Sequence, residues 1–262
     1  MKIISGKNLE GFVFFLILVS LLSSCVPQKK IKYLQKQQKQ DSTTYYKAKR
    51  GPNYRIQPSD VLYIKIYTMD EKTFQLFNRI GTSTSQQTSE ADLYLNGYTV
   101  SDSGYVKLPI LGSVFVRDLS LENVQRLLQN LVDEYLKETV VVVKMANYRI
   151  TILGEVNKPG QYNVYQDRIN LFEAVSLAND LTEFANRNKI AIIRKGPDGS
   201  QVHYVDMTSD KILNSEFFIL QPNDIVYAAP LGIKRWGAAT FPWGLVFGAI
   251  STALLLINYF ER

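Results

Sequence analysis

Between Arg235 and Glu261 the chain runs for 25 residues, Trp236 to Phe260, without one charged side chain. This segment limits the fold more than any other. As a helix it would reach about 37 Å, against a hydrocarbon core of about 30 Å. Trp236, Trp243 and Tyr259 lie toward its ends, as interface aromatics do. Pro242 suggests that regular helix starts near that point. A membrane-spanning helix is therefore predicted over 236–260. A buried helix of a soluble domain is the alternative, but such helices are seldom this long and charge-free. Gly244 and Gly248 form a small-xxx-small pair, and Ser251, Thr252 and Asn258 continue roughly along it. Small residues let helices approach closely in lipid. A helix–helix interface is predicted at Gly244, Gly248, Ser251 and Thr252.

The other end carries a second membrane signal. Lys2 and Lys7 precede the apolar run Phe12 to Leu22, and Leu22-Ser23-Ser24 lead into Cys25, the single cysteine of the chain. A positive start, an apolar stretch and small residues before a cleavage point make a signal peptide over 1–24. With cysteine as the first mature residue, the segment resembles the lipobox of bacterial lipoproteins. That resemblance implies acylation of Cys25. An uncleaved anchor with an incidental cysteine is the competing reading, although 11 apolar residues are short for a span. One cysteine also excludes a disulfide within the chain.

Net charge is +6, but its placement matters more than its size. Residues 29–50 carry eight basic side chains against Asp41, so residues 51–262 are left slightly acidic. A basic nucleic-acid-binding domain is not supported. The Gln- and Lys-rich stretch has too little apolar content for a core, and residues 25–53 read as a basic tether. Its lysines suit anionic headgroups, and a solvated spacer fits equally well.

Two folded units follow. In the first, Val61 to Tyr67 reads as a strand after a turn, and 81–92 as a loop. Tyr98 to Val116 holds further strands, with Asp102-Ser103-Gly104 as a turn. Pro109 marks a strand end or an edge. The period then changes: Val124, Leu127, Leu128, Leu131 and Tyr135 fall on one helix face. Ser120 is the expected N-cap, with Glu122 in the first turn. Val140 to Val143 is a short buried strand that can run on toward Met145. The second unit opens with the strand Ile150 to Val156 and the turn Asn157 to Gly160. Asn170 caps a short helix from Leu171 to Leu177. A hairpin turns at Pro197-Asp198-Gly199, and Phe217 to Ala229 closes the unit. Gln57-Pro58-Ser59-Asp60-Val61-Leu62-Tyr63 recurs as Gln221-Pro222-Asn223-Asp224-Ile225-Val226-Tyr227. Proline presets a turn and an apolar strand follows, so both copies launch strands.

Catalytic inventory is thin. One histidine, His203, rules out a multi-histidine metal site and sits in an alternating strand, where a surface role is expected. No Walker-type loop and no G-x-S-x-G elbow occurs. Asp133 and Glu134 lie on the polar side of a helix. An enzyme is not expected, nor any metal or cofactor beyond a lipid on Cys25.

Gly97-Tyr98-Thr99-Val100, Gly104 through Gly112 and Leu119-Ser120-Leu121-Glu122 resemble the polysaccharide biosynthesis/export domain. Leu153-Gly154-Glu155-Val156-Asn157-Lys158-Pro159-Gly160 resembles the start of a soluble-ligand-binding β-grasp (SLBB) domain, and Gln221 to Asp224 fits its end. With the lipobox, the chain resembles outer-membrane capsule or exopolysaccharide export lipoproteins of the compact Bacteroidetes-like form. The resemblance implies an α+β fold: an export domain over 54–146, an SLBB domain over 147–231 and one C-terminal transmembrane helix. It implies a homo-oligomeric ring in the outer membrane with its globular domains in the periplasm. The ring would pass a polysaccharide from an inner-membrane co-polymerase/tyrosine kinase complex to the cell surface. A lipid-anchored saccharide- or ligand-binding protein that transports nothing is the second reading. Two departures stand out. Ala178-Asn179-Asp180 replaces a Gly-rich turn, and the polar stripe of the C-terminal segment is thin where relatives carry an amphipathic, pore-lining helix.

Overall fold

The computed structural model describes residues 32–35, 46, 54–70, 74, 76–78, 96–196, 199–232 and 243–260. Cys25, the signal segment, the loop 81–92 and residues 236–242 lie outside the described residues.

The first domain is built on alternation. In β1 (Val61–Tyr67), Leu62, Ile64 and Ile66 turn inward while Tyr63, Lys65 and Tyr67 turn out. β2 (Tyr98–Thr99) pairs antiparallel to its start. The hairpin of β3 (Tyr105–Leu108) and β4 (Gly112–Phe115) folds over the core, turning at Pro109 as that proline requires. Gly104 sits at φ +88°, and an added Cβ would lie 2.6 Å from the Arg117 Cβ, so only glycine fits this turn.

Helix α1 (Leu121–Asp133) then lies on the sheet. Ser120 caps it by accepting from the Asn123 amide, with Glu122 in the first turn. Val124, Leu128 and Val132 are fully buried, each stabilising by about 1.5–3 kcal/mol. Leu127 and Leu131 pack at the margin of this core. Tyr135, expected on the same face, is 61% exposed because the helix has ended before it, and Val132 takes that place. β5 (Val140–Met145) pairs antiparallel with β1 from Leu62 to Tyr67 and extends to Met145 as expected.

The second domain is a mixed five-stranded sheet with one helix on its inner face. β6 (Arg149–Gly154) and β7 (Gly160–Asn163) form its first hairpin. β8 (Ile169–Asn170) leads into α2 (Leu171–Leu177), where Asn170 and Glu173 make a reciprocal capping box. β9 (Ala185–Gly196) and β10 (Gly199–Val205) form the second hairpin around 197–198. A 3-10 turn, Asp210–Asn214, follows. β11 (Ile219–Leu220) pairs with β8. The last strand, β12 (Ile225–Pro230), enters between β6 and β9, parallel to β6 and antiparallel to β9. The order β7-β6-β12-β9-β10 is that of a β-grasp. Its core joins Ile150, Ile152, Leu171, Val175, Ile190, Ile192 and Val226. Gly154, at φ +89°, lies against β12, where an added Cβ would fall 2.1 Å from the Ala228 carbonyl oxygen.

Within the charge-free segment, the described residues form α3 (Trp243–Phe260). These 18 residues are the described part of the predicted span 236–260 and measure about 27 Å. Among the described residues, no helix is long and apolar enough to cross a membrane.

Candidate functional site

Both copies of the repeated motif are turns at the joint between the domains. Pro58 and Pro222 set the first bend, and the next residues, Ser59 at φ +73° and Asn223 at φ +65°, complete type II-like geometry. The Asp60 carboxylate accepts from the Gln57 amide at 2.8 Å, and the Asp224 carboxylate from the Gln221 amide at 2.7 Å. The Ser59 amide donates to the Val100 carbonyl, and the Asn223 amide to that of Arg149. Each turn thus launches a strand, β1 or β12, and pins it to a neighbour. Between them lies the linker residue Asn147, whose Oδ1 accepts from the Val61 amide at 3.0 Å. Tyr148 follows and donates to the Leu220 carbonyl beside the second turn. Lys144 and Asp167 add an exposed ion pair across the joint at 2.8 Å.

The two carboxylates are buried differently. Asp224 is fully buried and held by the Arg194 guanidinium through Nε at 3.0 Å and Nη2 at 2.7 Å. Asp60 receives a hydroxyl, Tyr54 Oη at 2.8 Å, and no cation among the described residues. Burial pushes the Asp60 carboxyl above the ordinary range, offset in part by the Gln57 amide and the Tyr54 hydroxyl. Burial, reinforced by Asp60 and then by Asp224, also raises the Tyr54 hydroxyl. Tyr148 is raised mainly by burial and next by Asp224.

The basic tether is the largest surprise, because part of it docks. The Leu34 amide donates to the Met207 carbonyl at 3.2 Å, and the Gln35 amide to the Thr208 carbonyl at 2.5 Å, in parallel pairing. Tyr33 packs edge-on to Phe172 with centroids 5.7 Å apart and donates to Asp180 Oδ1 at 2.5 Å. The Arg187 guanidinium lies over its ring at 5.3 Å. Burial and the Asp180 hydrogen bond push the Tyr33 hydroxyl up to about 12, with Arg187 opposing. Farther along, Tyr46 donates to Asp210. The expected free tether over 25–53 is therefore corrected for 32–35 and 46, because aromatic and backbone contacts outweigh the solvation of its lysines. The sequence signal at 32–35 is Tyr33-Leu34, an aromatic–aliphatic pair among lysines and glutamines.

Asn179 at φ +57° and Asp180 at φ +69° turn the chain after α2. They take the left-handed conformation that a Gly-rich turn would supply, so this departure from the expected pattern keeps the backbone path. His203 stacks on Phe217 with centroids 3.9 Å apart and is half-buried. Among the described residues no group of His, Cys, Asp and Glu could hold a metal.

Gly244, Gly248, Ser251 and Thr252 occupy an arc of about 100° on α3. All four are exposed, and a Cβ added at either glycine would meet nothing within 4 Å. Thr252 donates its hydroxyl back to the Gly248 carbonyl at 2.8 Å. Phe247, Leu254, Leu255 and Tyr259 are exposed as well.

A model of the polysaccharide biosynthesis/export protein family matches residues 48–146, and a model of the SLBB domain matches 148–228. The chain belongs to the polysaccharide biosynthesis/export family. This is a family of export proteins, not of enzymes. Its export domain carries β1 to β5 and its SLBB domain β6 to β12, so the two turns above open one domain and close the other. The chain is similar to the EPS I polysaccharide export outer membrane protein EpsA of Ralstonia nicotianae. The two are 27% identical over 155 residues, which covers 57% of this chain and 40% of that protein. The protein of the same name from Ralstonia solanacearum is 28% identical over 57% of this chain and 41% of its own length. The chain spans about two fifths of the length of these relatives.

Proposed function

We propose that this chain is a subunit of an oligomeric outer-membrane channel that exports capsular or extracellular polysaccharide. The observation that carries this reading is the export domain followed by the SLBB domain, in a chain similar to named outer-membrane export proteins.

Both membrane attachments leave from the SLBB domain. Tyr33 comes eight positions after Cys25, a reach of at most about 29 Å. An acyl chain on Cys25 therefore keeps the docked face of this domain close to the bilayer. At the other end, α3 follows β12 after a short connection. The export domain then projects away into the periplasm, toward an inner-membrane co-polymerase/tyrosine kinase.

The bare sides of α3 support assembly. Exposed Phe247, Leu254 and Leu255 require a covering of lipid or of other subunits. About 27 Å is less than the average hydrocarbon thickness, and the bacterial outer membrane is thinner than average. In a ring, the arc of Gly244, Gly248, Ser251 and Thr252 brings neighbouring helices together. Close backbone approach drives this contact, because the Thr252 hydroxyl is already taken within its own helix.

Deletion of the gene tests the reading. Loss of surface polysaccharide, restored by the wild-type chain, is the expected result. Unchanged surface polysaccharide contradicts it. Gly244→Leu with Gly248→Leu should reduce oligomer size in detergent; an unchanged size removes the helix interface from the proposal.

A further inference from the structure

Arg187 is the one described side chain whose polar atoms are left unmet inside the protein. It is 4% exposed, and its Nε and Nη1 have no hydrogen-bond partner. Nη2 reaches the Leu181 carbonyl at 3.3 Å. A buried guanidinium with unsatisfied donors is costly and seldom persists without a use. What lies over it is Tyr33, from a segment 147 residues away from Asp180 in sequence. Among the described residues, the Leu34 and Gln35 amides and the tyrosine itself hold the strap near this point. Peripheral segments of this kind open locally more easily than the sheet beneath them.

The phenol makes three contacts there: its hydroxyl donates to Asp180, its face meets Arg187, and it packs against the Phe172 ring. A pyranose ring has the groups to make the same three. A sugar hydroxyl can donate to the carboxylate, an oxygen can accept from the guanidinium, and the apolar C–H face can lie on the aromatic ring. A carboxylate on that sugar would meet the unmatched Arg187 donors through charge-assisted hydrogen bonds.

We infer that Arg187, Asp180 and Phe172 form a subsite for a uronic-acid residue, capped in this structure by Tyr33 of the N-terminal strap. Strap and sugar compete for one place, so the SLBB domain binds the saccharide only when the strap lifts. That the sugar belongs to an exported polymer rests on the proposed function; the subsite itself rests on the geometry.

Titration of the full-length protein with glucuronate, and with glucose as the neutral probe, tests the inference. Tyr33→Ala should tighten glucuronate binding at least tenfold over wild type, and glucose less. Adding Arg187→Met should abolish the gain. Gln35→Pro removes the amide that holds the strap to Thr208 and leaves the subsite residues intact. It should tighten binding in the same direction, and it replaces Tyr33→Ala as the test if that variant does not fold. Equal glucuronate affinity in wild type and the strap variants overturns the inference. So does a gain that survives Arg187→Met. Both readouts use purified protein, so they stand apart from whether gene deletion alters surface polysaccharide.

Discussion

The turns Gln57–Asp60 and Gln221–Asp224 have the same backbone and different partners for their buried aspartates. Each places proline second, a left-handed residue third and an aspartate fourth that accepts from the first amide. In the SLBB domain the buried carboxylate meets a guanidinium through two hydrogen bonds. In the export domain it meets a tyrosine hydroxyl. A shared turn therefore does not dictate how its buried charge is compensated. The backbone pattern is local, whereas the compensation comes from wherever the fold brings a partner.

The largest separation between the two turns should come from breaking the ion pair. Arg194→Met leaves the Asp224 carboxylate buried with one amide donor, and should cost about 3–5 kcal/mol in urea unfolding. Removing the corresponding partner in the export domain, by Tyr54→Phe, should cost about 1–3 kcal/mol. Equal losses would mean that the two sites are compensated alike.

Acidity tests the export-domain turn. The Asp60 carboxyl is raised in the folded state above its unfolded value. Its contribution to stability is therefore fully present below the unfolded value, near the ordinary carboxylate range, and is lost as pH rises through the folded value. Unfolding free energy of wild type, measured relative to Asp60→Asn from pH 7 down to pH 4, should rise on acidification. A flat difference would show that the hydroxyl and amide fully offset burial. The smallest effect concerns backbone strain. Ser59 holds a positive φ that asparagine or glycine adopts more readily, so Ser59→Gly should stabilise by about 0.4–1 kcal/mol. Asn223→Ser should destabilise by a similar small amount. If both are neutral, the left-handed positions carry no strain.

Much of this was legible from local pattern. Ser120 and Asn170 cap the helices they were expected to cap, and Pro109 ends a strand. The repeated motif launches a strand each time, because proline geometry and strand alternation act within a few residues. What escaped the sequence depends on long separations. Arg194 lies 30 residues from Asp224, and Tyr33 lies 147 from Asp180. Charge composition made 25–53 look wholly solvated, yet two amides and an aromatic ring are enough to dock part of it. Tyr135 followed the helical period but fell beyond the helix end, so Val132 entered the core instead.

Electron microscopy of the full-length protein extracted from membranes tests the channel most directly. The expected image is a closed ring in which the SLBB domains lie against the detergent belt and the export domains project farthest from it. A stable monomer, or a ring with the export domains against the belt, would contradict the proposed channel.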